Sequence, residues 1–293
     1  MRTNGPSGLG EESPEIASET KPEESVNRID LATQALRSLR EGDRGVVAAA
    51  SLGRTAIPAL KELLFERDRS GLFETRRRAV DALASIGAHE VLIEFLQSFR
   101  ESADPVERLG DDAVVNAAAR ALRGLDDPRV FDLLLALAKR KILPGVVAAL
   151  GTFHRVESTP CLVAALAEDE SRSSAEAALL DLGAKAREAL AAAARSAPSG
   201  DRESEARLRQ RRSALALLDR IGMERRAWPD LREIMRDRDP IARRLACQMC
   251  LTYAPEAERP EALEILNELS STASTPERID IQRALAKWTS RTR

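Results

Sequence analysis

Apolar and polar positions follow one short pattern that returns along most of the chain. A small residue is followed by two free positions, two apolar residues, two more free positions, an aliphatic residue and usually glycine, most clearly at 79–87, 175–183 and 214–222. Apolar residues three, four and seven positions apart share one face of an α-helix, and a glycine after the last of them favours a left-handed turn that ends the helix. The pattern predicts helices that end near positions 53, 87, 126, 151, 183, 222 and 254.

A second apolar stretch with helical periodicity follows each of these ends. The second helices are predicted at 57–65, 91–99, 130–137, 161–166, 186–194, 228–235 and 262–269, and a closing helix at 276–290. Neither helix of a pair can bury its apolar face alone, so neighbouring pairs are expected to pack against each other. Strand-type alternation is absent and aromatic residues make up only 3% of the chain, so the sequence predicts an all-α fold.

Two stretches carry a resemblance to a known family. Residues 52–60 read LGRTAIPAL and residues 237–246 read DRDPIARRLA. These stretches resemble HEAT repeats, especially the short bacterial type also known from phycobilisome-lyase-like HEAT domains, and the resemblance covers roughly residues 44–270. It implies a right-handed α-solenoid of about seven helical pairs, in which the second helices line the concave surface.

Charge divides the chain into two parts. Residues 1–25 contain six glutamates, one lysine and one arginine, with three prolines among them, and almost no apolar residue to bury. They are therefore predicted to be a disordered acidic tail, and residues 26–293 are predicted to form the solenoid. A net charge of −2 and a pI near 6.0 give no reason to expect nucleic acid or an anionic membrane as a partner. Three unevenly spaced cysteines and the lack of an 18-residue apolar stretch predict a cytoplasmic protein without a membrane span.

Few residues have the spacing that catalysis or metal binding needs. Cys247 and Cys250, with two residues between them, have the spacing of a redox motif or of half a zinc site. The repeat pattern puts both at core positions, however, and no second pair completes a site. His89 and His154 are interpreted as ordinary loop or helix-start residues, because a metal site needs more ligands. No phosphate-binding glycine motif or nucleophile motif is present. The sequence therefore predicts no enzyme activity, no metal and no cofactor.

Arginines concentrate in residues 201–244, which hold 13 arginines, no lysine and nine acidic residues. Acid-first pairs four apart, such as Glu203–Arg207 and Asp239–Arg243, indicate ion pairs along helix faces, and HEAT repeats commonly link a turn Asp to a helix Arg of a neighbouring unit.

The predicted second helix at 224–237 carries the candidate site. At 100° per residue its apolar side chains form an inward stripe, and an exposed ridge lies about 120° away. The candidate partner-binding residues are Arg225, Trp228, Arg232 and Arg236, with Trp228 at the edge of the ridge and Pro229 on it. Arginine suits bidentate contacts to carboxylates, so an acidic protein segment is the predicted ligand, with the acidic tail of the same chain as a possible competitor. A merely solvated ridge is the alternative interpretation.

The leading functional prediction is a non-catalytic scaffold or adaptor that binds a protein partner along the concave face. Two alternatives come from the resemblance: a lyase-like or chaperone-like accessory factor for cofactor attachment, and a HEAT-like DNA-repair protein. In the second alternative Trp228 or Trp288 would stack on a base. The sequence makes no prediction of the oligomeric state.

Overall fold

The computed structural model describes Thr33, Leu39 and residues 42–67, 73–195 and 203–291. Within these residues all regular secondary structure is helical and there is no β-strand, which confirms the all-α prediction. The predicted acidic tail at 1–25 lies outside the described residues. In the part of the chain that the structure describes, no helix has the length and apolar character needed to cross a bilayer.

The α-helices have bounds close to those that the apolar pattern predicts. They are α1 (Asp43–Ser51), α2 (Ile57–Phe65), α3 (Glu74–Ile86), α4 (His89–Ser98), α5 (Pro105–Ala121), α6 (Pro128–Arg140), α7 (Pro144–Gly151), α8 (Thr159–Ala165), α9 (Asp169–Leu182), α10 (Arg187–Arg195), α11 (Glu205–Ile221), α12 (Pro240–Tyr253), α13 (Arg259–Thr272) and α14 (Thr275–Arg291). Short 3-10 helices lie at Gly53–Ala56, Val156–Ser158, Gly183–Ala186, Arg225–Asp230, Arg232–Arg236 and Glu256–Glu258.

Packing arranges these helices in two layers that follow the order of the chain. In the first layer α1, α3, α5, α7, α9, α11, α12 and α14 each contact the next. In the second layer each helix also contacts the next, in the order α2, α4, α6, α8 and α10. Residues 225–236 extend this layer through the ion pair of Arg195 with Asp230, and α13 extends it further through that of Arg236 with Glu261. The apolar faces of both layers meet between them, where the core residues are buried.

Glycines at the helix ends serve two different purposes. Gly87 ends α3 in the left-handed conformation, with φ 78° and ψ 23°, as the pattern predicts. Gly151 is the last residue of α7, so that helix ends where predicted, but without a left-handed glycine; a Cβ there would come 2.7 Å from Ala178 Cβ of α9. At the other end of α7 a Cβ on Gly145 would lie 2.3 Å from the backbone oxygen of Asn116. Both glycines of α7 therefore allow close approach to neighbouring helices.

The prediction of an α-helix at 224–237 is wrong, because the segment forms 3-10 helices. Two 3-10 helices, Arg225–Asp230 and Arg232–Arg236, replace it. Pro229 lies inside the first; it has no N–H to donate, and in an α-helix its ring would collide with the carbonyl of Arg225. The apolar stripe is nevertheless buried as predicted, because Trp228, Leu231 and Met235 all lie in the core.

Cys247 and Cys250 are fully buried in α12, as the repeat pattern predicts. Burial raises the pKa of each thiol to about 12, so both remain protonated at neutral pH. A protonated thiol in an apolar site packs as a small hydrophobic group and is neither a nucleophile nor a metal ligand.

We expect Cys250→Ser to lower the free energy of unfolding by about 1–3 kcal/mol, because a hydroxyl in an apolar site costs more than a thiol. Cys250→Ala is the control and should cost less. Urea denaturation of both variants measures the difference in free energy of unfolding. A thiol reagent at pH 8 should modify neither Cys247 nor Cys250 in the native wild type. Rapid modification of Cys247 or Cys250 before unfolding would contradict the packing role.

Candidate functional site

A buried ionic cluster fixes the C-terminal end of the segment that carries the candidate residues. The Arg211 side chain of α11 is 2% exposed and pairs with Glu203, at 2.5 Å, and with Asp237. Its Nε also donates to the carbonyl of Ala194 at the end of α10. Burial tends to lower the pKa of Arg211, but Asp237 and Glu203 outweigh it and raise the pKa above its usual value. Arg211 thus joins α10, the start of α11 and the end of residues 225–236.

Arg212 makes the next link, to Asp239. The guanidinium donates two hydrogen bonds to this carboxylate, at 2.9 and 2.7 Å, and Asp239 also accepts from the backbone of Ala242 at the start of α12. Burial tends to raise the pKa of Asp239, and the hydrogen bonds from Arg212 and Ala242 outweigh it and lower the pKa. The turn-Asp to helix-Arg link implied by the HEAT resemblance is therefore present here. The predicted local pairs differ: Asp239 pairs with Arg212 rather than Arg243, and Glu203 pairs with Arg211.

Trp228 is not at the edge of an exposed ridge, contrary to the prediction. It is 1% exposed, and its indole Nε1–H donates to Glu258 Oε2 at 2.6 Å, just before α13. Its ring fills the core between residues 225–236 and α12–α13. Trp228 therefore holds the segment in place and offers no surface to a partner.

The arginines of this segment are exposed, as predicted, but their neighbours differ from those of an α-helix. Arg236 donates to Glu261 of α13 at 2.9 Å, which raises the pKa of the arginine. Arg232 lies 3.4 Å from the carboxylate of the adjacent Glu233. Arg225 has no carboxylate within 4.0 Å among the described residues.

With three residues per turn, side chains at i and i+3 line up along a 3-10 helix. Arg226 and Pro229 consequently lie along one side of the first 3-10 helix, Arg232 begins the second one just after Leu231, and all three are exposed. We call these three residues the arginine edge. The predicted ridge contained Arg225 in place of Arg226, because it was built on 3.6 residues per turn.

A groove of about 280 Å³ lies between α10 and residues 225–236, and Arg226 of the arginine edge is part of its lining. Apolar side chains from both layers form its floor. They are Ala191, Leu218, Met223, Ala227 and Leu231.

Charged side chains form the rim of this groove. Arg195 of α10 donates to Asp230 across it at 2.9 Å, and Arg226 pairs with Glu224 at 2.5 Å. Arg226 therefore pairs with Glu224 and not with Asp230, four residues further on, whose carboxylate Arg195 occupies. Arg187 reaches the carbonyl of Ile221 at 3.3 Å. The groove combines an apolar floor with a rim of three arginines and three carboxylates, the latter from Glu188, Glu224 and Asp230.

The sequence prediction missed the contribution of α10 to this site. Arg187 and Arg195 are more than 30 residues from their contacts at Ile221 and Asp230, beyond the range of any helical spacing rule. Pro229 in the middle of the predicted helix is the local signal that could have revealed the 3-10 geometry.

Comparison with known proteins gives no assignment. No family model matches the chain, and no curated protein is significantly similar to it.

The described residues also contain no group of three or more His, Cys, Asp and Glu side chains placed to hold a metal ion. Two other grooves, each of about 400 Å³, lie on the first layer: one beside Trp288 and Arg244, the other beside His154 and Gly151. The first groove contains Trp288, which the DNA-repair alternative would use to stack on a base, and neither contains a residue of the predicted arginine ridge.

Proposed function

We propose that the protein is a cytoplasmic, non-catalytic scaffold, in which HEAT-like helical pairs stack as a right-handed α-solenoid and dock a protein partner on the second layer. The two layers in chain order and the links from Arg211 to Asp237 and from Arg212 to Asp239 support the stacking. The docking site is the surface of residues 225–236 with the adjoining groove.

The single observation that carries the proposal is the set of exposed arginines on a segment fixed from beneath. Arg225, Arg226, Arg232 and Arg236 are all exposed, while Trp228 and the Arg211 cluster hold the backbone that carries them. A preorganised set of guanidinium groups binds carboxylates without first ordering the backbone, which reduces the entropic cost of association.

An acidic protein segment is the ligand class that fits this surface. The existing ion pairs of Arg226 and Arg232 join exposed groups, and exposed pairs contribute little free energy. A docked carboxylate can therefore replace Glu224 or Glu233 as the partner at small cost. The apolar floor of the groove adds contact area for a neighbouring side chain.

The proposal is tested with the full chain as bait in its native lysate, comparing wild type with Arg225→Glu, Arg232→Glu. We expect thermal unfolding of the double variant within about 2 °C of wild type, because surface substitutions usually change stability little. Recovery of the specific partner should fall at least about tenfold, equivalent to about 1.4 kcal/mol of binding.

Arg54→Glu with Arg123→Glu is the matched control, since both arginines are exposed and lie far from this segment in the chain. It makes the same change in net charge and should leave recovery unchanged. Retained affinity of the Arg225, Arg232 variant for every recovered partner would refute the docking site.

A further inference from the structure

Glutamates in the N-terminal segment recur with a fixed period. Four of them, Glu11, Glu15, Glu19 and Glu23, are each four residues apart. In an extended peptide, residues an even number apart lie on one side, and four residues span about 13 Å. The residue midway between Glu15 and Glu19 is Ala17, whereas the corresponding residues of the flanking intervals are serine and lysine.

The arginine edge has a matching spacing. A 3-10 helix rises about 2.0 Å per residue, so Arg226 and Arg232 are about 12 Å apart along the segment, with Pro229 midway. The order along the edge is cation, apolar residue, cation; the order from Glu15 through Ala17 to Glu19 is anion, apolar residue, anion. An α-helix would have spaced the same two arginines about 9 Å apart, closer than the two carboxylates of an extended peptide.

The N-terminal segment can reach this edge within one molecule. Glu19 is 20 residues from the buried Leu39, and 20 extended residues span at most about 66–72 Å. The segment that carries the arginine edge packs on α12, six helix-to-helix steps from α1 along the first layer. At 8–10 Å per step this is about 48–60 Å, within the reach of the extended chain.

We propose that the chain's own N-terminal segment docks on the arginine edge, with Glu15 on one of Arg226 and Arg232, Glu19 on the other and Ala17 against Pro229. This inference rests on the proposed function, since it makes the segment an internal competitor for the same surface. A partner's acidic segment must then displace it, so the segment sets the threshold for partner binding.

The experiment measures binding of a fluorescent synthetic peptide with the sequence of residues 10–25 to four full-length chains. These are wild type, a tail variant with Glu15→Gln and Glu19→Gln, an edge variant with Arg226→Glu and Arg232→Glu, and the combination of tail and edge changes. A tethered segment competes at an effective concentration on the order of 1 mM, so a peptide with a Kd of about 100 μM should bind the tail variant about tenfold more tightly than wild type.

We expect the combined variant to lose this binding. A peptide of the same composition, with its glutamates placed side by side, should bind the tail variant at least about fivefold more weakly than the peptide with the native order. Adding Arg54→Glu and Arg123→Glu to the tail variant is the control for net charge and should preserve peptide affinity. Equal affinity of the peptide for wild type and the tail variant, or no difference between the native and rearranged peptides, would overturn the proposal.

Partner recovery from lysate separates this proposal from the proposed function. The tail variant should recover more partner than wild type. If recovery is unchanged by the tail variant but still lost with Arg225→Glu, Arg232→Glu, the scaffold function stands and the internal competitor is wrong. If the peptide results hold but no partner depends on these arginines, the internal contact stands and the scaffold function fails.

Discussion

Replacement of Arg211 by methionine is expected to lower the free energy of unfolding by about 3–5 kcal/mol, the usual cost of removing one partner from a buried ion pair. Methionine retains much of the apolar stem but leaves the carboxylates of Glu203 and Asp237 without their cation, and both are only 12% exposed. The carbonyl of Ala194 also loses its donor. Urea denaturation followed by circular dichroism measures the effect.

Arg232→Met is the matched control for this prediction. It removes the same chemical group from an exposed position of the same region and should change stability by no more than about 0.5 kcal/mol. Arg211→Lys should lie between the two, because it keeps the charge but cannot donate to three acceptors in the same plane. A loss below about 1 kcal/mol for Arg211→Met would mean that water already solvates the two carboxylates.

Trp228→Ala is expected to lower the free energy of unfolding by about 3–5 kcal/mol, because it removes the largest side chain of the core around residues 225–236 and leaves a cavity. It should also weaken partner binding, but through displacement of the arginines and not through a lost contact. The measurement pairs denaturation with partner recovery for the same variant.

Trp228→Phe separates packing from hydrogen bonding. Phenylalanine fills part of the volume but cannot donate to Glu258, so we expect a loss of about 1–3 kcal/mol. Because the backbone of residues 225–236 should remain in place, partner recovery should stay near the wild-type level. Binding lost with Trp228→Phe while stability is retained would show that the indole itself contacts the partner, contrary to its burial.

The sequence predicts the helices well because their signal is local. The second helix predicted at 57–65 coincides with α2, and the glycine that ends α3 is at the expected position. The 3-10 geometry of residues 225–236 escaped prediction because Trp228 and Leu231, three residues apart, lie on one face with either 3.0 or 3.6 residues per turn. Only Pro229 distinguishes the two.

The ion pairs around the candidate site were predicted less well, for a physical reason. Helical periodicity predicts ion pairs only between residues three or four positions apart. Arg211 and Asp237 are 26 residues apart, and Arg195 and Asp230 are 35 residues apart. Their contacts depend on how successive pairs pack, which fixes distances that no local pattern contains. The groove beside the arginine edge was missed for the same reason.

The order of the two layers has a consequence for how the protein is made. Each helix packs chiefly on helices that precede or follow it closely in the chain, so the contact order is low and loop closure is inexpensive. During synthesis a new helix meets an already assembled neighbour as soon as it leaves the ribosome. The arginine edge is completed late, because its supports at Asp239, Glu258 and Glu261 are translated after it. A nascent chain that stops before α13 would therefore carry the cations without the scaffold that aligns them.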